Sequence, residues 1–353
     1  MRVLLVGSQR YPMYAPAWAR GLRELGVEVT IWDWTDCLSS GLLGRLERRF
    51  FIGPGVARVK HELVCKAVES APDIILLYAL PAIDVSTVKV LAQKHWVSGY
   101  HNDDPFGAHS NAPGMRAWKR VLPFFHSHHV FRKKNLVEYQ GCGVKRVKEL
   151  HHFFLPWLHK KIRIPQDHKE QYGSEIVFVG HAEPDARMGF LTALVGAGLP
   201  VSVYGGSKLW RKYLPARLRS ELTPIRPVYG DDYVRTIVGA KICLAFFSRA
   251  NRDDYTTRVF EIPAMGGFLM CERTPLMQEF YREDVEAAMF SSKEELVEKC
   301  GWYLQHDSER QQVATAGRKR CLEDGHDAVS RMRQWLQDMQ GWMVGTDILG
   351  TGT

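Results

Sequence analysis

Arg258 and Glu261 stand three positions apart in the segment 242–272 (ICLAFFSRANRDDYTTRVFEIPAMGGFLMCE), which places them one turn apart on a helix. Residues 242–247 are apolar throughout and read as a central strand of a parallel sheet covered on both faces. Ligands of such sheets bind beyond the carboxyl ends of the strands, and 248–257 is that end. Thr256 or Thr257 is expected to cap the helix that follows, aiming free backbone N–H groups and the positive end of the helix dipole into the same crevice. An arginine and a carboxylate in that setting can hold a nucleotide-sugar.

Breaking the bond between an anomeric carbon and a diphosphate builds negative charge on the leaving oxygen. Arg187 and Arg258 are the candidates to meet it through charge-assisted hydrogen bonds, with Gly180 allowing close backbone approach. An exposed Arg258–Glu261 pair would contribute only about 0.2–0.5 kcal/mol, too little to account for an arginine at the ligand edge of a sheet. Arg187 reads equally as a solvated arginine at a helix start. Tyr100, His101, Asn102, Asp103 and Asp104 follow another strand, and an acceptor hydroxyl would arrive there. His101, Asp103 or Asp104 would take its proton if the reaction inverts configuration. If it retains configuration, the donor phosphate serves and these residues orient the acceptor. Asp104 before Pro105 also suits a turn. Gly7, Ser8 and Gln9, with Tyr100, either line the acceptor side or make an ordinary tight turn. Aspartates are paired at 103–104, 231–232 and 253–254, and none of the pairs has the Asp-x-Asp spacing of a metal site, which is consistent with a transfer that needs neither a metal nor a cofactor beyond the donor substrate.

The set Arg258, Phe260, Glu261, Ala264, Gly266 and Gly267 resembles the signature of the CgeB-like glycosyltransferases. Tyr100, Asp103, Asp104 and Pro105 look like that family's aspartate pair, and residues 141–147 with 155–159 look like the close of its first domain. Val179, Gly180 and Arg187, and later Ser292, Glu294, Glu295 and Leu296, continue the likeness over roughly two thirds of the chain. The resemblance implies a GT-B architecture: two Rossmann-like, doubly wound domains facing a central cleft, with the C-terminal helix packing back on the N-terminal domain. It implies metal-independent transfer of a sugar from a nucleotide-sugar to a glycan, lipid-linked or protein acceptor. By the same resemblance Glu261 would accept hydrogen bonds from the ribose hydroxyls, the base would lie near 228–232, and Asp253, eight positions before Glu261, would contact the donor sugar.

The elements needed to position these residues are visible in the hydropathy pattern. Runs at 3–6, 27–32, 74–78 and 96–100 read as strands, with further strands near His129 and Val147, and helical stretches alternate with the first three. Trp18, Leu22 and Leu25 mark a helix over 15–25 that Gly26 stops. A polar stretch with two prolines, 156–173, separates a first domain at 1–160 from a second at 170–325, where strands at 176–179, 201–204, 242–247 and 268–271 alternate with helices. Thr274 before Pro275 is a helix start, and Ser292 with Glu295 is a capping box. A last helix, placed at 326–345, carries a broad apolar stripe through Met332, Trp335, Met339 and Trp342 that some other element must cover.

At 353 residues the chain suits two domains. No apolar run approaches the roughly 18–20 residues that cross a bilayer, and Met1 leads directly into a strand, so a cytoplasmic protein is expected. Seven scattered cysteines read as reduced thiols, and His126, His128 and His129 on a strand as structural. Net charge is +8, with clusters at Arg45, Arg48 and Arg49, at Lys133 and Lys134, at Lys145, Arg146 and Lys148, and at Lys160, Lys161 and Arg163. These read as solvated surface or as a peripheral contact with anionic membrane. A nucleic-acid partner is not expected, because no basic face is interleaved with aromatics. A nicotinamide enzyme is disfavoured because Gly7 opens no G-x-G-x-x-G. A nucleotide-sugar epimerase or hydrolase of the same fold, and a non-catalytic nucleotide- or RNA-binding protein, remain the rival readings.

Overall fold

The apolar runs pair in parallel throughout. In the computed structural model, which describes residues 1–344, the first sheet contains β1 (Arg2–Val6), β2 (Glu28–Trp32), β3 (Ile74–Tyr78), β4 (Trp96–Tyr100), β5 (Ser127–Val130) and β6 (Val147–Glu149). Their spatial order is β2–β1–β3–β4–β5–β6. The second contains β7 (Ser174–Val179), β8 (Val201–Tyr204), β9 (Ala240–Ala245), β10 (Leu269–Glu272) and β11 (Ala288–Phe290), ordered β11–β10–β9–β7–β8. β3 is Ile-Ile-Leu-Leu-Tyr and buried at every position, as a strand covered by helices on both faces requires. In each sheet the second strand lies on one side of the first and the third on the other. That reversal makes a topological switch point between β1 and β3 and another between β7 and β9.

Two units result, one of residues Met1–His151 with the segment from Ala328, the other His152–Asp327. β9 begins and ends two residues before the apolar run suggests. Its ladder with β7 starts at Ala240, and Phe246 and Phe247 stay buried after the ladder has ended. The first helix, Ala15–Glu24, stops at Gly26, whose φ of 78° suits glycine. Thr274 caps its helix by accepting the Met277 N–H at 3.1 Å. Ser292 likewise accepts the Glu295 N–H at 3.1 Å, but the Glu295 carboxylate reaches back to the Ser291 N–H at 2.8 Å, one residue beyond a standard capping box.

The last helix, Ala328–Met343, belongs to the first unit; residue 345, expected at its end, lies outside the described residues. Its apolar stripe is covered there by the Ala15–Glu24 helix. A Cβ on Gly21 would stand 2.8 Å from Met332 Cγ, so the missing side chain permits the close approach. The Trp18 and Trp335 rings meet edge to face at 6.1 Å, and Met332, Trp335 and Met339 have no exposed surface. Asp338 on the same helix accepts from His129 Nε2 at 3.2 Å and from Lys148 Nζ at 2.5 Å. His128, one residue away on β5, faces the opposite side and packs against Tyr139 at 4.3 Å. All seven cysteines are free thiols.

Trp335→Ala is expected to destabilise the first unit by about 3–5 kcal/mol, because it opens a large cavity at a fully buried contact. Urea unfolding measures it, and a loss well under that range would mean the helix is not held by this face.

Candidate functional site

The carboxyl ends of β7 and β9 flank the switch point of the second unit, and the chain leaving β9 makes a tight loop before its next helix. Asn251 N–H bonds Ser248 Oγ at 3.2 Å, Asp253 N–H bonds the Ser248 carbonyl at 2.9 Å, and Arg252 takes a left-handed φ of 51°. This places Asp253 at the base of the loop. Thr274 Oγ1 fastens the far side by donating to the Asp254 carbonyl at 2.9 Å.

The helix that follows is short, Arg258–Ala264, with Pro263 inside it. Gly266, at φ 83°, ends it: its N–H bonds the Pro263 carbonyl at 2.8 Å, and the Gly267 N–H bonds the Ile262 carbonyl at 3.0 Å. The expected threonine cap is absent. Thr257 has helical backbone angles and makes no side-chain cap, and Thr256 Oγ1 is buried with no partner among the described residues. The helix start is held by Arg258 instead, whose Nε donates to the Val179 carbonyl at 3.2 Å, at the very end of β7.

Arg258 Nη1 donates to Glu261 Oε2, and the guanidinium carbon lies 4.7 Å over the Tyr233 ring. Tyr233, from the helix Gly230–Gly239, donates its hydroxyl to the same Oε2 at 2.7 Å. Arg258 is 24% exposed and Glu261 only 1%. Burial works against the charged carboxylate, yet the Arg258 guanidinium and the Tyr233 hydroxyl outweigh it and hold Glu261 below the usual glutamate range. His159 completes the cluster. Its Nδ1 accepts the Leu155 N–H at 3.0 Å, which assigns the proton to Nε2, and Nε2 is buried without a partner among the described residues. The ring meets Tyr233 edge to face at 5.8 Å. Burial pushes the His159 imidazole below its ordinary value, so it is neutral at pH 7.

A second set of carboxylates lies nearby in sequence and partners. Arg187 is 4% exposed, donating to Asp185 at 2.7 and 2.8 Å and to the His181 carbonyl at 2.6 Å, with Glu183 at 3.2 Å. An arginine so surrounded clamps the 181–187 loop. Glu183 also accepts from Ser248 Oγ at 2.6 Å. Glu272, at the end of β10, accepts the Phe247 N–H at 2.6 Å and pairs with Arg249 at 2.5 Å; burial raises its pKa. Gly180 is packed closely, since a Cβ there would stand 2.7 Å from the Phe178 ring.

In the first unit the acceptor-side candidates are mostly structural. A Cβ on Gly7 would stand 2.8 Å from Ala15 Cβ. Ser8 Oγ accepts the Arg10 N–H at 3.3 Å, and the Gln9 N–H bonds Asp33 at 2.7 Å. Tyr100 is 1% exposed and packs on Trp18 at 4.7 Å, so it is a core residue rather than a lining one. Asp104 is buried, accepting the Phe106 N–H at 2.9 Å and Asn135 Nδ2 at 3.0 Å, the turn-forming role open to it from Pro105. His101 is buried with Nδ1 3.1 Å from the Asp103 backbone N–H, and burial lowers its pKa. Asp103 is exposed. Of the donor-side residues chosen from sequence, Arg258 and Glu261 come together as expected. Tyr233 and His159 were missed, because partners 28 and 102 positions from Glu261 have no local spacing to announce them.

Residues 187–337 match the family described as glycosyl transferase-like. No curated protein matches the chain in sequence. Among solved structures, sucrose-phosphate synthase from Thermosynechococcus elongatus aligns with a TM-score of 0.71 at 12% identity, over 98% of this chain and 100% of that one. Anabaena HepE in complex with UDP-glucose aligns at 0.66 and 11%, over 97% and 100%. A glycosyltransferase from Rickettsia africae aligns at 0.66 and 11%, over 98% and 99%. The fold is GT-B. These neighbours show the fold, and the glycosyl transferase-like match covers less than half of the chain.

Both Glu261 and His159 titrate lower folded than unfolded, so the stability they contribute is complete above the unfolded values and is lost as pH falls. For His159 the loss begins as pH drops through its ordinary value of 6.5. His159→Asn keeps an acceptor for the Leu155 N–H and has no titrating ring. Urea unfolding of the variant is expected to show a smaller fall in midpoint between neutral and mildly acid pH than the parent protein, and an unchanged fall would remove His159 from the account.

Proposed function

We propose that this chain is a CgeB-like glycosyltransferase that moves a sugar from a nucleotide-sugar to a glycan, lipid-linked or protein acceptor, without a metal. The observation that carries the reading is the ionised, buried Glu261 held by Arg258 beside the last carbonyl of β7, at the switch point of the second sheet. Ligands of doubly wound sheets bind at such points. Glu261 receives the ribose hydroxyls, a pair of donors that a carboxylate accepts together. Arg258 meets the charge that develops on the leaving diphosphate, Gly180 keeps the end of β7 free of a side chain, and Asp253 in the loop faces the donor sugar. HepE was solved with UDP-glucose, which supports a uridine diphosphate sugar as the first donor to test. Exposed Asp103 with buried His101 beside it is the acceptor-side candidate of the first unit, with Asp104 shaping the turn.

Arg258→Ala is expected to lower turnover by about a hundredfold or more, the effect of removing a donor aimed at developing negative charge. Release of UDP from UDP-sugars, with and without added glycan acceptors, measures it. Near-normal turnover in the variant would take Arg258 out of the site. Conversion of the donor to an epimer with no acceptor present would make the protein an isomerase instead.

A further inference from the structure

The helix Gly41–Phe50 is packed inside out. Its buried residues are Gly44 and Glu47, while Leu42, Leu43, Leu46 and Phe50 are 66%, 47%, 45% and 47% exposed, and Ile52 just beyond is 77% exposed. Amphipathic helices on globular proteins turn such residues inward. Glu47 prevents that here. Its carboxylate accepts the backbone N–H groups of Ser39 at 2.7 Å and Gly55 at 2.6 Å. These bonds, Ser39 first, hold it below the usual glutamate range against the cost of burial. The seat is tight: a Cβ on Gly44 would stand 1.7 Å from the Ser39 carbonyl oxygen, and one on Gly55 would stand 2.4 Å from the Glu47 carboxylate. The helix therefore cannot roll to bury its leucines.

At 3.6 residues per turn, Leu42, Leu46, Phe50 and Leu43 fall within an arc of roughly 100°, and Arg45, Arg48 and Arg49 occupy the arc beside it. Glu47 is the helix's sole acidic residue and it faces inward, so the outward surface is apolar and cationic with no carboxylate. We propose that this face seats the protein on an anionic bilayer surface, its leucines and phenylalanine entering the boundary between headgroups and acyl chains and its arginines lying level with the lipid phosphates. A basic amphipathic helix binds such an interface by just these two contributions. A second copy of the chain is a poorer occupant, because an antiparallel two-fold contact through this face would bring its two arginine-bearing flanks together. The contact is peripheral in kind, since no helix among the described residues is long and apolar enough to cross a membrane. The inference is independent of the donor site on the second unit.

Flotation of the full chain with vesicles tests it, comparing equal parts phosphatidylglycerol and phosphatidylcholine with phosphatidylcholine alone. The protein is expected to float with the anionic vesicles and far less with the neutral ones, and to be released by salt. Arg45→Glu, Arg48→Glu and Arg49→Glu together should lower partitioning by about a hundredfold or more, at about fivefold for each basic residue near the surface. Leu42→Ser, Leu46→Ser and Phe50→Ser together should abolish it while the chain remains folded by urea unfolding, as these side chains are about half exposed or more. Equal binding to both vesicle types, wild-type binding by the arginine variant, no binding to either, or a solution dimer that the serine variant dissociates would each overturn the proposal.

Discussion

A carboxylate removed almost entirely from water sets the terms for the second unit. Glu261 keeps 1% of its surface exposed, and a charge so buried persists only where a cation and hydrogen-bond donors replace the lost water. Arg258 supplies the cation from one turn earlier, and Tyr233 supplies the hydroxyl from the helix Gly230–Gly239. Satisfying Glu261 therefore requires two helices to meet. The Arg258 Nε bond to the Val179 carbonyl then ties both to the end of β7. The packing demand of one side chain and the ligand edge of the sheet coincide at the same few atoms. That coincidence argues for a binding role better than the pair would alone, because buried ion pairs contribute little net stability over a well-packed apolar replacement.

The neighbouring charges serve a different end. Arg187, Asp185, Glu183 and Ser248 are linked into a chain of bonds that joins the loop after β7 to the loop after β9. Glu272 adds the end of β10 through the Phe247 N–H. Three strand ends are thus held by side chains that have few donors left for a ligand, while Arg258 and Glu261 remain at the switch point itself. A site that is to grip a ligand repeatedly needs this kind of rigid surround.

The parallel strands were legible in the sequence because a strand covered on both faces must be apolar along its whole length, as Ile-Ile-Leu-Leu-Tyr of β3 is. The same rule blurred the end of β9, where Phe246 and Phe247 are buried by packing beyond the ladder. The helix stop at Gly26 and the caps at Thr274 and Ser292 were legible through local chemistry. The expected cap by Thr256 or Thr257 does not form, because Arg258 holds that helix through its side chain, a bond that spans 79 residues. Arg187 is a similar case: nothing in its sequence neighbourhood announces a loop clamp until Asp185 is seen wrapped around it. His159 and Tyr233 could only be found once the fold had brought them to Glu261. The inverted helix Gly41–Phe50 shows the opposite case, in which the arginines were legible as a cluster but the outward turn of the leucines depends on Glu47 bonding Ser39 and Gly55.

The account stands on Arg258 and Glu261 forming the grip for a sugar nucleotide. A crystal structure of the protein soaked with UDP-glucose tests that most directly. The account predicts density beyond β7 and β9, with the ribose hydroxyls on the Glu261 carboxylate and the diphosphate against the Arg258 guanidinium. Well-ordered nucleotide elsewhere, with the Arg258–Glu261 pair unmoved and untouched, would contradict it.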